Sequence, residues 1–183
     1  LEALGKLPLD SSKNICVLGA GPLGNMSAQV MRSYGARVTA VDPDNRWLPF
    51  MFKYEVNTHT KLDNVGQFDH FVVERSDPET LAHIVDESRP DARVLILDFP
   101  QLGVGPADRG EIAKNPKIIF GTGPFNRKRW QEAVRLIHAK AINLVDHSST
   151  VIPLEQYCEA LTSAESGEAF KVLISVNSEL RIL

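Results

Sequence analysis

Three glycines spaced Gly19-x-Gly21-x-x-Gly24, within the stretch ICVLGAGPLGNM (15–26), are the residues whose types and positions could do chemistry here. Glycines so placed put backbone amides to work. Gly19 allows a tight turn, Gly21 lets the backbone approach a pyrophosphate with no Cβ in the way, and Gly24 lets the following helix pack closely on the preceding strand. The free amides and the positive dipole end of that helix would face the phosphates. Pro22 suits an early helical position, where its missing N–H costs little although it supplies one donor fewer; Leu23 completes the loop.

Asp42 ends the run RVTAVD (37–42), 18 residues after Gly24. It is placed to accept hydrogen bonds from the hydroxyls of an adenosine ribose, and its charge would repel a 2′-phosphate. Asp44 adds to that repulsion, while Arg46, beyond Pro43, softens it, so this corner favours NAD over NADP. The competing account is a tight strand-to-helix turn followed by an exposed aspartate; strand, helix and acid together favour the dinucleotide fingerprint.

Other chemistries find less support. His59, His70, His83, His138 and His147 are scattered, with no partner at zinc-ligand spacing, so surface or satisfied structural roles are expected for them. A Gly-x-Ser-x-Gly nucleophile elbow is missing. Cys16 and Cys158 stand 142 residues apart and belong to no CxxC or CxxH pair, which argues against a disulfide framework and for a reducing, cytoplasmic setting. The basic stretch FNRKRW (125–130) reads as the solvated start of a helix with Trp130 turned to the core. With 20 basic against 23 acidic residues, the net charge of −3 advertises neither a nucleic-acid nor an anionic-membrane partner. The sequence contains no apolar run long enough to span a bilayer as a helix.

The elements that must hold the loop alternate in type. NICVLGA (14–20) is an apolar run suited to a strand buried on both faces. Leu23, Met26, Ser27, Val30, Met31 and Tyr34 mark one face of a helix that Gly35 can close, and RVTAVD gives the second strand. Leu48, Met51, Phe52 and Glu55 fit a further helix, and the polar 57–64 stretch gives at best a very short strand. DHFVVE (69–74) is a strand, Asp77 can cap a helix that begins at Pro78, and ARVLILD (92–98) is the next strand. A glycine- and proline-rich loop (99–116) leads to the strand KIIFGT (117–122), then to a helix whose apolar face is Trp130, Ala133, Val134 and Ile137. A strand near 149–152, a helix from Pro153 to about Ala164 and the strand FKVLISV (170–176) close the chain.

The alternation predicts an α/β, doubly wound Rossmann fold: a mostly parallel six-stranded sheet with helices on both faces. Ligands of such sheets sit beyond the carboxyl ends of the strands, which here carry Gly19, Asp42, Glu74, Asp98 and Gly121. At 183 residues the chain suits one substantial domain, able to bury roughly 70% of the surface its unfolded form would expose.

The succession GAGPLG, VTAVD, FDHFVVE, PETLAHIVDESRPDARVLILDFP, IIFGTGPFNRKRWQEAVRLIHAKAINL and PLEQYCEALTSAESGEAFKVLI resembles the cofactor-binding half of medium-chain, alcohol-dehydrogenase-like reductases. The resemblance covers nearly the whole chain. It implies an NAD-dependent oxidoreductase acting on an alcohol or carbonyl, whose substrate and zinc ligands, where zinc is used, lie on an N-terminal domain outside this chain. On it, residues 1–13 are the end of a lead-in helix and linker, 14–148 the Rossmann domain and 149–183 a strand-helix-strand ending; LEALGKLPLD, beginning at Leu1, reads as the tail of a helix already under way. Asp98, Phe99 and the loop at Gly121 would line the nicotinamide end, and the edge strand near 117–122 would pair two copies into a homodimer. Where the family usually has a small residue, Ser or Thr, and glycine after its fourth strand, this chain has Glu74-Arg75-Ser76. The alternatives are a non-enzymatic NAD-sensing regulatory module and a degenerate domain kept as a dimerisation scaffold.

Overall fold

Apolar residues at every position of a short strand belong in the middle of a covered sheet, and that is where the first such run lies. In a computed structural model, which describes residues 1–97, 114–120, 126–144, 150–167 and 169–176, the chain divides into two compact units, Leu1–Ile142 and Asn143–Leu183. In the first, β1 (Asn14–Leu18) pairs in parallel with β2 (Arg37–Val41) on one side and β4 (His70–Val73) on the other. With β3 (Asn57–His59), β5 (Arg93–Ile96) and β6 (Ile118–Phe120) the sheet runs β3-β2-β1-β4-β5-β6, every pairing parallel. This is the doubly wound order, with its switch point between β1 and β4.

Side chains alternate between the two faces of the sheet. Ile15, Val17, Val38, Ala40, Val72 and Leu95 pack with Ala28 and Met31 of α1 (Pro22–Ser33). Cys16, Leu18, Phe71, Val73, Val94 and Ile96 pack with Leu81 and Ile84 of α2 (Pro78–Glu87) on the other face. Asp77 caps α2 as expected, accepting from the Thr80 amide at 2.8 Å.

Within residues 1–13 a single 3₁₀ turn, Leu4–Lys6, buries Leu4, and Leu7 follows it into the core. Two local expectations are corrected. The helix expected at 48–55 is a 3₁₀ helix, Leu48–Tyr54; Leu48 and Met51, three apart, share one side of a three-residue turn, while Phe52 faces solvent. In α3 (Arg127–His138) Trp130 does not face the core. It is 63% exposed, Val134 and Ile137 are exposed as well, and Leu136 makes the contact with the core. Polar ties fix this face inward: Asn126 Nδ2 donates to Glu2, and Glu132 accepts from both Arg129 and Tyr34. Apolar spacing finds a stripe on a helix but not which side the surrounding polar groups permit.

The second unit is a strand-helix-strand element. β7 (Thr150–Pro153) and β8 (Val172–Ser175) pair in parallel, and a 3₁₀ turn, Leu154–Gln156, leads from β7 into α4 (Tyr157–Ser166). Gly167, at φ 68°, ends α4 in the left-handed conformation that glycine adopts without strain. Ile152, Ala160 and Phe170 are buried.

Candidate functional site

The register of the sheet brings three predicted residues to one level. Leu18 pairs with Val41 and with Val73, so Gly19, Asp42 and Glu74 each stand one residue past the end of a neighbouring strand. Gly19 takes φ 95°, and its amide donates to the Val41 carbonyl at 2.9 Å. Gly21 is the N-cap residue of α1, with Pro22 at the first helical position. A Cβ on Gly24 would lie 2.0 Å from the Gly19 carbonyl oxygen, so only glycine permits this approach of helix to strand.

Asp42 is 6% exposed, and its carboxylate ties the loop to the β2 corner. Oδ2 accepts from the Ala20 amide at 2.8 Å and Oδ1 from the Asp44 amide at 2.9 Å. An ionised carboxylate offers about four lone-pair sites, so two remain for hydroxyl donors. Arg46 turns to Asp44, its Nε 2.7 Å from Oδ2, which holds the Asp44 carboxyl below the usual carboxylate range.

Glu74 reaches back across the loop from the end of β4. Its Oε1 accepts from the Leu23 amide at 2.9 Å, and the Gly24 amide faces the same carboxylate. Burial pushes its pKa up; the loop amides and Arg75 oppose that shift, and Asp42 adds to it. Oε2 is buried with no hydrogen-bond partner. With no side-chain cap at Gly21, Glu74 answers the first amides of α1 from across the sheet.

Between the ends of β1 to β4 opens a cleft of about 750 Å³. Gly19, Asp42 and Pro43 line it, together with Lys61, Arg75, Thr80 and His83. Arg46 is not part of its wall. Asp98, Phe99 and Gly121 lie outside the described residues, as does His147.

Sequence reading assigned no cleft role to Lys61, Thr80 or His83. Lys61 follows a three-residue strand with no motif around it. Thr80 and His83 stand three apart in α2, a spacing that could have marked them as one face. Of the other histidines, His70 is buried at the amino end of β4, where burial lowers its pKa and Nδ1 accepts from the Arg93 amide at 3.3 Å. Among the described residues no cluster of three or more His, Cys, Asp or Glu could hold a metal ion, and no helix is long and apolar enough to cross a membrane.

No family model matches the sequence. A curated relative, the "Probable D-xylulose reductase A" of Aspergillus fumigatus, is 23% identical over 189 residues, covering 89% of this chain and 50% of that protein. Among solved structures, alcohol dehydrogenase TADH from Thermus sp. ATN1 superposes with a TM-score of 0.73 at 22% identity, covering 96% of this chain and 56% of that one. Acetophenone reductase from Geotrichum candidum, solved in complex with NAD, gives a TM-score of 0.75 at 17% identity over 98% of this chain and 53% of that one. The chain has the fold of about half of an alcohol dehydrogenase chain. The resemblance carried by its motifs and the likeness of its backbone thus agree. The chain spans about half the length of the curated relatives it matches.

Proposed function

We propose that this chain is the NAD(H)-binding domain of a medium-chain alcohol-dehydrogenase-like oxidoreductase. The observation that carries the reading is the glycine turn tied through the Ala20 amide to Asp42, with Gly19 and Asp42 both lining the cleft. The cofactor supplies hydride exchange with an alcohol or carbonyl carbon in the whole enzyme; this domain binds and orients it. Asp42 and Pro43 would take the adenosine ribose, and Gly19, Gly21, Pro22, Leu23 and Gly24 the pyrophosphate. Asp98, Phe99 and Gly121 would border the nicotinamide. Substrate, and zinc where the enzyme uses it, would be held by the half of the protein outside this chain, so the isolated domain binds cofactor and turns nothing over.

The residues present fit the adenosine half of the ligand: a walled cleft, and an aspartate with lone pairs to spare for two ribose hydroxyls. NAD is preferred over NADP because the Asp42 and Asp44 carboxylates oppose a 2′-phosphate and the Arg46 guanidinium is engaged with Asp44. Two free thiols, Cys16 buried and Cys158 exposed, support a reducing, cytoplasmic setting. β6, at the end of the sheet order, is the strand through which two copies would pair.

Calorimetric titration with NADH and NADPH tests the reading. We expect one site per chain and NADH bound roughly tenfold or more tighter than NADPH, the discrimination one repelled charge provides. Absence of heat, together with no protection from thermal unfolding by NADH, would sink the cofactor assignment; tighter NADPH would overturn only the role of Asp42.

A further inference from the structure

The glycine loop leaves no room for side chains, because one carboxylate packs against all three of its glycines. A Cβ placed on Gly21 would lie 2.7 Å from Glu74 Oε1 and 3.0 Å from Oε2; one on Gly24 would lie 2.7 Å from Oε2, and one on Gly19 3.1 Å from Oε2. The Leu23 amide, a donor suited to a pyrophosphate oxygen, is spent on Oε1. Oε2 has no partner although the residue is only 9% exposed. We propose that Glu74 is a proton-dependent positioning residue of the phosphate cradle: the dinucleotide binds with one proton taken up on Glu74, whose Oε2 hydroxyl then donates to the pyrophosphate.

The proposal rests on the dinucleotide reading above and adds to it a sign and a stoichiometry. An ionised carboxylate is an acceptor only, so an ionised Glu74 and an ionised phosphate repel each other across the loop. A proton on the orphan oxygen turns the same contact into an O–H donor facing an anionic acceptor, while Oε1 keeps its amide. The charged groups facing Glu74 act in opposite directions, Arg75 against proton uptake and Asp42, more weakly, for it. From the end of β2 comes Asp42, of like charge; β1 and the first turn of α1 bring no charge, only amides; from β4 itself comes Arg75, whose side chain is exposed and therefore screened. Burial, the largest influence, is what favours the neutral form.

The test titrates the wild-type protein and Glu74→Gln with ADP-ribose, whose phosphates stay ionised across the range, and with adenosine, which has none, from pH 5.5 to 8.5 in buffers of different ionisation enthalpy. Gln places an amide N–H₂ where the protonated acid would place its hydroxyl. Expected for the wild type is uptake of one proton with ADP-ribose and affinity falling up to about tenfold per pH unit above the Glu74 transition, the slope of a single linked proton. Glu74→Gln should bind without proton uptake, with a flat profile and at least about tenfold tighter than wild type at pH 8.5, while adenosine distinguishes neither protein nor pH. Equal proton uptake and equal pH profiles in the two proteins would overturn the proposal and leave the dinucleotide reading standing, as would weaker ADP-ribose binding by Glu74→Gln throughout. Glu74→Ala guards against an altered fold in the Gln variant: it too must lose the proton uptake. Failure of both ligands with all three proteins would instead strike the dinucleotide reading.

Discussion

Asp42 and Glu74 end the two strands that flank β1, and each takes a hydrogen bond from the glycine loop between them. Their situations are otherwise opposite. Asp42 has an amide on each oxygen and faces the open cleft with acceptor capacity left over. Glu74 has one oxygen satisfied and one orphaned, in a place where burial raises its pKa. On the proposed reading, two carboxylates at equivalent strand ends would meet different ligand chemistry: Asp42 the hydroxyls of a ribose, and Glu74, once neutral, a phosphate. Environment, not residue type, makes the distinction.

The comparison breaks most severely when the frame shared by both acids is removed. Gly24→Ala sets a methyl group 2.0 Å from the Gly19 carbonyl oxygen, and either α1 or the loop must move. We expect a loss of about 3 kcal/mol or more in chemical denaturation, at the upper end of the cost of overpacking. A change below 1 kcal/mol would mean that helix and strand are not in contact as described.

Asp42→Ala sharpens the comparison by its sign. It strands the Ala20 and Asp44 amides and removes the ribose acceptor, so dinucleotide affinity should fall roughly tenfold to a hundredfold, as for lost hydrogen bonds to a charged group. Glu74→Gln should move affinity in the other direction at alkaline pH. Calorimetry on both variants checks the pair; shifts of the same sign would dissolve the distinction between the two acids.

The ligand-free protein offers a smaller effect of the same origin. A carboxyl group whose folded-state pKa is raised binds its proton more readily in the folded than in the unfolded chain. Its contribution to stability is therefore fully present below the ordinary glutamate value and is lost as pH rises through the folded-state value. Glu74→Gln should accordingly gain melting temperature relative to wild type at pH 8, with the gain shrinking toward pH 4. Thermal scans across that range would contradict the account if the difference were constant with pH.

How far these features were legible in the sequence depended on whether the constraint was local. The glycine loop and Asp42 could be read because each follows from a backbone requirement within a few residues: a positive φ at Gly19, a helix start at Pro22, an acid at the end of the next strand. The alternation of strands and helices gave the sheet for the same reason. Glu74 could be placed at a strand end and its departure from the family pattern noted, yet nothing in the chain foretold that its carboxylate would reach the Leu23 amide, 51 positions away. Lys61 and His83 enter the cleft only because a short β3 and the first turns of α2 converge there.

Trp130 failed for a related reason: which face of α3 turns inward is decided by Leu136 and by the ties of Asn126 and Glu132 to distant residues. Its exposure predicts the smallest effect. Trp130→Ala should change stability by less than about 0.5 kcal/mol, the range for surface substitutions. Leu136→Ala should cost more, and denaturant midpoints for the two variants decide the orientation.

The central claim, that the loop and Asp42 together form the dinucleotide site, is tested most directly by amide chemical shifts of isotopically labelled protein titrated with NAD. The account predicts the largest changes at Ala20, Leu23, Gly24 and Asp44, with the amides of Arg37 and His70, at the opposite ends of β2 and β4, unmoved. Saturable binding whose largest changes fall elsewhere, or no change in the loop at millimolar NAD, would contradict it.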